Sequence, residues 1–561
     1  MAFHVAEDDA RELILSGRTY LGIELGSTRI KSVLIDENFR ILSQGSHDWE
    51  NRFINGLWTY SEEDIWSGLQ DSYASLAGDV KRRFGLALTR VKAAGFSAMM
   101  HGYLAFDQAG RLLVPFRTWR NTNTGQAHEK LSRLFQYNVP ERWSIAHLYQ
   151  AVLDDEEHVG RVAYVTTLAG YVHWKLTGSK VLGIGDASGM FPVDPQMHTW
   201  EQGFLERFSQ LPEVAAQPWD IRDILPFPLV AGKDAGRLTE EGALLLDSTG
   251  VLQAGIPLAP PEGDAGTGMV ATNTVRPRSG NVSAGTSIFA TVVLERKLRH
   301  PHPEVDVVAT PCGDLAGMSH ANNFTSDLNA WVGLFKEFAQ SAGLHLDDKS
   351  LYSVLFRASL VGKDNPGTDP DAGGLMNYCF YSGEFLAGLE QGRPLFMRSP
   401  QAHMTLGNFM RAQLFSAFSP VKIGMDVMTK EEGVRVDCMV GHGGIFATPL
   451  VAQRILAAVF QSPIKVMSTA AEGGAWGMAV LAAYLMENKG RKLEDFLDDV
   501  VFAHSKGTTE TPDPDDSEGF RVFFHRFVRG LPVERTAIEA FPLESRRKGD
   551  REAKDEQAET R

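Results

Sequence analysis

The order of apolar and polar positions breaks the chain into strands, helices and small polar turns. Tyr20-Leu21-Gly22-Ile23-Glu24-Leu25 reads as a strand that stops at Gly26-Ser27-Thr28, and residues 31–36 resume as a second strand, which makes a hairpin with a small polar tip. Ser61-Glu62-Glu63-Asp64 has the form of a capping box and opens helical periodicity to about residue 86. Residues 91–97 form the next strand and lead into Met99-Met100-His101-Gly102-Tyr103. A helical stretch covers about 141–158, and residues 171–178 read as a helix with Gly178 as its C-cap. Gly185-Asp186-Ala187-Ser188-Gly189 reads as a loop, followed by a connector punctuated by glycine and proline that runs toward Asp264.

The second half repeats the vocabulary. Val282-Ser283-Ala284 reads as a buried strand running into Gly285-Thr286-Ser287, and residues 318–323 end near a helix that contains Trp331. A long helical region spans 400–428 and holds Arg411. Residues 436–440 form a strand that enters Gly441-His442-Gly443-Gly444 ahead of a helix over 449–460. Residues 472–486 form a helix of small residues, which lets backbones approach closely. Beyond about 503 the pattern changes to a Pro512-Asp513-Pro514 linker, an aromatic amphipathic helix over 520–528 and a charged tail over 544–561 that is expected to be disordered.

At 561 residues the chain exceeds one compact core, so two large domains are expected. A hydrophobic share of 43% with 22% charged residues fits a globular protein in water, and a net charge of −15 without a long basic run in the folded part argues against nucleic acid as a partner. The three cysteines are too far apart for a metal pattern or a disulfide framework. The acidic start lacks the form of a signal peptide and no apolar run is long enough to span a bilayer, which points to the cytoplasm and to no membrane partner.

The candidate chemistry centres on Asp264, in Gly263-Asp264-Ala265-Gly266. Small neighbours let its carboxylate approach a ligand. Gly285-Thr286-Ser287, about twenty residues on, presents N–H groups and hydroxyls to an anion, and Gly26-Ser27-Thr28 has the same chemistry. Two strand–glycine–hydroxyl turns, one near the start of each half, point to an internal duplication that grips a phosphate chain from both sides. A single carboxylate base beside such turns points to phosphoryl transfer onto a hydroxyl. His101 stands just past a strand end, where it lines a pocket or is a solvated loop histidine. Residues 116–123 mix hydrogen-bonding side chains with the Trp119 ring, a mixture that suits sugars. Gly443 and Gly444 leave room for a flat ring or a phosphate, or serve close packing alone.

In this order, over residues 20 to 487, the features resemble the FGGY carbohydrate kinases of the actin-like superfamily. The first phosphate loop of that family resembles residues 21–28, its Met-His-Gly element Met100-His101-Gly102, its Trp-x-Asp region Trp119-Arg120-Asn121, and its Leu-Thr-Gly and Asp-x-Ser elements residues 176–178 and 186–188. The resemblance implies an α/β fold: a duplicated, ribonuclease-H-like ATPase of two domains with a nucleotide cleft between them. The domains expected are a leader over 1–19, an N-terminal FGGY domain over 20–270, a C-terminal FGGY domain over 271–503, a linker and terminal helix over 504–543, and the tail over 544–561.

By the same resemblance, Asp264 is the catalytic base and also touches substrate and magnesium. Met100, His101, Trp119 and Asn121 bind the sugar; Gly26, Ser27, Thr28, Lys31, Gly285, Thr286, Ser287, Gly443 and Gly444 bind the nucleotide. Glu24 belongs to the magnesium shell, and the helix from Glu472 through Gly477 fits the family. The cofactors implied are ATP and Mg2+, the acceptor a ketose such as the pentuloses xylulose or ribulose, and a homodimer follows by analogy with the family. Three positions depart from the family pattern: Glu24 replaces an Asp, Asn121 replaces an Asp with loss of charge, and Met99 stands where a Gln is expected before Met-His-Gly. The alternatives are a kinase of another polyol or hexulose, and a nucleotide-binding regulatory protein of the same fold.

Overall fold

The computed structural model of the chain describes residues 7–467 and 473–543. Glu472 and the charged tail lie outside the described residues. By compactness the chain divides into a larger unit, Met1–Ala284 with Phe289–His320 and Gly424–Thr511, and a smaller one, Gly285–Ile288 with Ala321–Ile423 and Pro512–Arg561. This division cuts the chain at other places than a single boundary near 270, because the helix Gly473–Glu487 packs on the first sheet, far from it in sequence.

The larger unit is built on two sheets. The first comprises β1 (Tyr20–Leu25), β2 (Arg29–Ile35), β3 (Ile41–Asp48), β4 (Ala93–Ala98) and β5 (Glu262–Gly263), in the order β5-β4-β1-β2-β3. β1, β2 and β3 pair antiparallel, whereas β4 runs parallel to both β1 and β5. The second comprises β6 (Ser279–Ala284), β7 (Ile288–Val293), β8 (Asp306–Ala309), β9 (Leu315–Ala321), β10 (Cys438–Gly443), β11 (Ile464–Met467) and β12 (Gly507–Glu510), in the order β8-β9-β7-β6-β10-β11-β12. The run β9-β7-β6-β10-β11 repeats β3-β2-β1-β4-β5, and β6, β10 and β11 are parallel in the same way. The duplication is therefore in the topology: the Gly26 turn joins β1 to β2, and the Gly285 turn joins β6 to β7.

Local chemistry explains the elements around the first sheet. The helix Glu62–Phe84 starts at a complete Ser61–Asp64 capping box and ends at Gly85, whose φ of 66° is the left-handed C-cap. It buries Ile65, Leu69, Tyr73, Leu76 and Val80 at helical spacing. The helix Glu7–Ser16, inside the expected leader, adds Ala10 and Ile14 to the same core. Gly473–Glu487 is the small-residue helix, and its approach to β1 is close enough that a Cβ on Gly22 would lie 2.1 Å from the Ala475 carbonyl oxygen.

Two expectations change. Gly185–Gly189 is not a plain loop, since Ile184–Ala187 forms a helical turn whose Gly185 and Asp186 N–H groups are accepted by the Glu262 carboxylate at 3.3 and 3.0 Å. The Pro-Asp-Pro linker is the start of a helix, Pro514–Ala540, in which Pro514 takes a first-turn position and Asp513 accepts the N–H groups of Asp515 and Asp516.

The smaller unit packs Thr325–Ser341, Asp348–Ala358 and most of Leu406–Asp426 with that terminal helix. Arg411 and Asp516 are both fully buried and pair at 2.7 Å, and Arg411 also donates to the carbonyls of Pro370 and Ser359. Phe415 meets Phe520 and Phe523 beside the pair.

Glu432, in the larger unit, predicts an acid-sensitive element. Burial opposes its charge, but main-chain N–H groups of Arg299 and His300 and the side chains of His302 and Arg299 outweigh burial and hold its carboxyl at about 2. A folded-state value below the ordinary one stabilises the fold above the ordinary carboxylate range and loses that contribution as pH falls toward 2. Glu432→Gln is therefore expected to lower the urea midpoint at neutral pH and to flatten its decline between about pH 5 and pH 2. An unchanged acid limb would refute this.

Candidate active site

Three parallel strands end side by side and deliver the central groups. Glu24 is the penultimate residue of β1, Met100 follows β4 by two residues, and Asp264 follows β5 directly. Ligands of open α/β sheets collect at such carboxyl ends. Asp264 opens the helix Asp264–Ala271, and its Oδ1 accepts the Met100 N–H at 3.3 Å. Asp264 is exposed to solvent, yet desolvation by the surrounding protein raises its pKa to about 6 against the pull of the Met100 and Ala265 N–H groups.

Glu24 reaches toward it from β1. Burial, then the charge of Asp264, pushes Glu24 up to about 7, with Lys31 and the Ala475 N–H acting the other way. Lys31 is the exposed cross-strand partner of Glu24 on β2. A Cβ at Gly474 would stand 2.0 Å from Glu24 Oε1 and so displace that carboxylate. Two carboxylates at the ends of β1 and β5, with β4 between them, form an oxygen-only donor set, the kind magnesium takes when water and phosphate complete its shell. Among the described residues no group of three or more His, Cys, Asp or Glu side chains could hold a metal by itself.

A second carboxyl layer lies beneath. Asp186 and Glu262 are fully buried, and burial raises each to about 8, with the Asp264 charge adding to it at Asp186 and the Asp186 charge at Glu262. Thr167 donates to Asp186 Oδ2 at 2.6 Å, and Glu262 anchors the 184–187 turn. Sequence reading missed this layer. Glu262 stands between Pro261 and Gly263 and looks like a surface acid; its place on a two-residue edge strand against the 184–187 turn buries it.

On the acceptor side, His101 has a φ of 69° and a ring 5% exposed. Its Nδ1 lies 3.1 Å from the Gly189 carbonyl, and its ring stacks near Trp143. Burial and then Arg142 lower its pKa to about 3, so the imidazole is neutral. A carbonyl only accepts, so Nδ1 carries the proton and Nε2 is a lone-pair acceptor. Asn121 spends its amide on main chain: Oδ1 accepts the Trp58 N–H, and Nδ2 donates to the carbonyls of Trp58 and Thr118. Trp119 is half-buried and donates its indole N–H to Ser27 Oγ at 3.1 Å.

The phosphate-turn candidates are accessible. Thr28, Gly285 and Thr286 are exposed, Gly26, Ser27 and Ser287 half-buried. Gly285 closes its own turn through its N–H to the Ser287 carbonyl, and Thr325 bonds the Gly285 carbonyl. The two late glycines differ in purpose. Gly443 has a φ of 112° and would place a Cβ 2.0 Å from the Ala284 carbonyl oxygen, whereas Gly444 faces open space.

Against known families, residues 19–243 match the N-terminal domain of the FGGY family of carbohydrate kinases, and residues 280–486 match its C-terminal domain. The chain belongs to this family. As an FGGY kinase it uses ATP to phosphorylate a carbohydrate, and its two sheets are the duplicated actin-like ATPase fold. It is 24% identical over 372 residues to a xylulose kinase of Escherichia coli (strain K12), which covers 64% of this chain and 72% of that one. A xylulose kinase from Rhodospirillum rubrum superposes with a TM-score of 0.72 at 19% identity, covering 92% of this chain and 99% of that one. A gluconate kinase from Lactobacillus acidophilus gives 0.71 at 15% identity, covering 94% and 98%.

Proposed function

We propose that this FGGY kinase transfers the γ-phosphoryl group of ATP to a hydroxyl of a ketopentose, xylulose or ribulose, with Asp264 as the general base. The observation that carries the reading is the Asp264 carboxylate, accessible, held by the Met100 N–H and tuned to about 6 at the shared end of three parallel strands. A base near that value is largely ionised at neutral pH yet basic enough to receive a proton. Neutral His101 accepts a hydrogen bond from a sugar hydroxyl at Nε2, and Met100 and Trp119 supply apolar and aromatic surface beside it. Asn121 keeps the Trp119 loop in place through Trp58.

Gly26, Ser27, Thr28, Lys31, Gly285, Thr286 and Ser287 are assigned to the phosphates, and Gly443 and Gly444 to the base of the nucleotide. Glu24 and Asp264 would hold magnesium, which supplies charge neutralisation on the phosphates. Phosphoryl transfer depends chiefly on position and charge, so the residues that hold and exclude water matter as much as the base. The absence, among the described residues, of any helix long and apolar enough to cross a membrane and the use of ATP support a place in the cytoplasm.

The deciding experiment measures ADP release with magnesium-ATP over ketopentoses, hexuloses, aldonates and polyols. A kcat/KM for one pentulose at least tenfold above every other acceptor is expected. A higher value for another class would replace the substrate, and ATP binding with no acceptor-dependent turnover would favour the regulatory alternative. A second expectation concerns the metal: Glu24→Gln raises the magnesium concentration that half-saturates binding of a non-hydrolysable ATP analogue by about fivefold or more, the scale of one lost carboxylate contact. Calorimetry at stepped magnesium checks it, and an unchanged midpoint would remove Glu24 from the metal shell.

A further inference from the structure

Three aromatic side chains, all distant in sequence, hold the Gly26-Ser27-Thr28 turn. Trp49 donates its indole N–H to the Gly26 carbonyl at 2.7 Å, and Tyr60 donates its hydroxyl to the Ser27 carbonyl at 2.6 Å. These two stack on one another with centroids 4.1 Å apart, and both fix main chain. Trp119 differs from them, because its N–H takes the Ser27 hydroxyl oxygen instead. A hydroxyl has one proton to give and lone pairs to receive with. With Trp119 occupying a lone pair, the Ser27 proton is turned away from the indole and left to another acceptor.

Trp119 also borders the acceptor side. Its loop pairs antiparallel with Tyr103 through Arg117, at 2.8 and 3.2 Å, and runs so close to Gly102 that a Cβ there would lie 2.7 Å from the Arg117 carbonyl oxygen. Gly102 follows His101, and Met100 bonds Asp264. One half-buried indole thus hydrogen-bonds the phosphate turn from a loop whose Arg117 pairs with Tyr103, two residues past His101.

We propose that Trp119 is a positioning residue that couples the two substrates: a carbohydrate packed on its exposed face holds the indole N–H on Ser27 Oγ and so aims the Ser27 hydroxyl at the ATP phosphates. The inference rests on the kinase reading above. It also accounts for selectivity against water. In the wasteful reaction the bond from the γ-phosphorus to the β,γ-bridging oxygen breaks, a bond to water oxygen forms, and the products are ADP, inorganic phosphate and a proton. A carbohydrate on the ring adds to the indole–Ser27 contact, so the hydroxyl is less tightly aimed when only water is present and that reaction is slower.

Coupling of this kind is reciprocal and is read as a ratio of affinities. The dissociation constant of a non-hydrolysable ATP analogue is measured by calorimetry with and without the acceptor identified by the turnover panel. In the unmodified protein the acceptor is expected to tighten the analogue about fivefold or more, the lower end of ordinary coupling. Trp119→Phe keeps the ring and removes the N–H; the tightening is expected to fall below about twofold, while the melting temperature stays as it was. Ser27→Ala removes the same bond from the other end and reproduces the loss, Ser27→Thr retains the coupling, and the double variant adds nothing further. A merely structural role would lower both affinities and leave their ratio alone.

Coupling in Trp119→Phe equal to that of the unmodified protein overturns the inference with the kinase reading intact, as does acceptor-dependent turnover without any tightening. Absence of acceptor-dependent turnover in the unmodified protein overturns the kinase reading, and the coupling falls with it. Should Trp119→Phe fail to fold, Ser27→Ala decides, because it lies on an accessible turn outside the core.

Discussion

Replacing Asp264 by Asn lowers acceptor-dependent ADP formation by about two or more orders of magnitude, the usual worth of a general base. The amide keeps the size of the carboxylate and its acceptance of the Met100 N–H, so the loop geometry survives while the proton acceptor is lost. The carboxyls beneath offer no substitute. Asp186 and Glu262 are fully buried and held at about 8, hence largely protonated at neutral pH, and both are committed to Thr167 and to the 184–187 turn. At saturating magnesium, affinity for a non-hydrolysable ATP analogue is expected to change by less than about threefold, because the lost metal contact then shifts only the magnesium requirement and the base acts on the acceptor proton. A coupled ADP assay beside calorimetry separates the two readouts. Retention of a tenth or more of the original turnover would remove Asp264 from the role of base.

The largest expected effect on stability comes from a single methyl group. Gly22→Ala puts a Cβ 2.1 Å from the Ala475 carbonyl oxygen and 2.4 Å from the Ala479 nitrogen. Both are backbone atoms of a buried helix, so no rotamer change relieves the clash. The helix must move off β1 as a body. Overpacking of this kind costs about 1–3 kcal/mol, and contact with main chain places it at the upper end. The urea midpoint is expected to fall accordingly with an unchanged slope. Glu24 lies two residues along the same strand, so magnesium-dependent nucleotide binding is expected to weaken in the same variant. Wild-type stability in Gly22→Ala would mean that the helix and the strand do not approach this closely.

Much of this architecture was legible from local pattern. Strands ending in small polar turns marked both phosphate candidates, and the Ser61–Asp64 box and Gly178 marked helix ends where they occur. Asp264 stood out because glycines flank it. The sequence is a poor guide where a residue is defined by a distant partner. Asn121 looked like a sugar contact, and the structure gives its amide to Trp58, which is remote in the chain. Trp49 and Tyr60 carried no signal at all, since an aromatic residue that caps a turn has no characteristic spacing from it. Glu262 was hidden for the same reason, and Asp186 was named only as part of a motif: burial is a property of the assembled sheet. The start of the terminal helix was misplaced because proline was taken as a breaker, although it is well suited to a first helical turn.

The buried Arg411–Asp516 pair bears on how the protein is made. The two residues are 105 positions apart, and a ribosome adding about 5–20 residues per second needs roughly 5–20 seconds to travel between them. During that interval the helix bearing Arg411 has emerged without the aromatic segment that covers Phe415, and it must wait with its charge and its apolar side uncovered. Truncation anywhere before residue 513 makes the wait permanent. Newly made chains are therefore expected to depend on chaperones until the helix beginning at Pro514 has been made, and slow codons placed between 423 and 512 should lower the soluble yield without altering the finished enzyme.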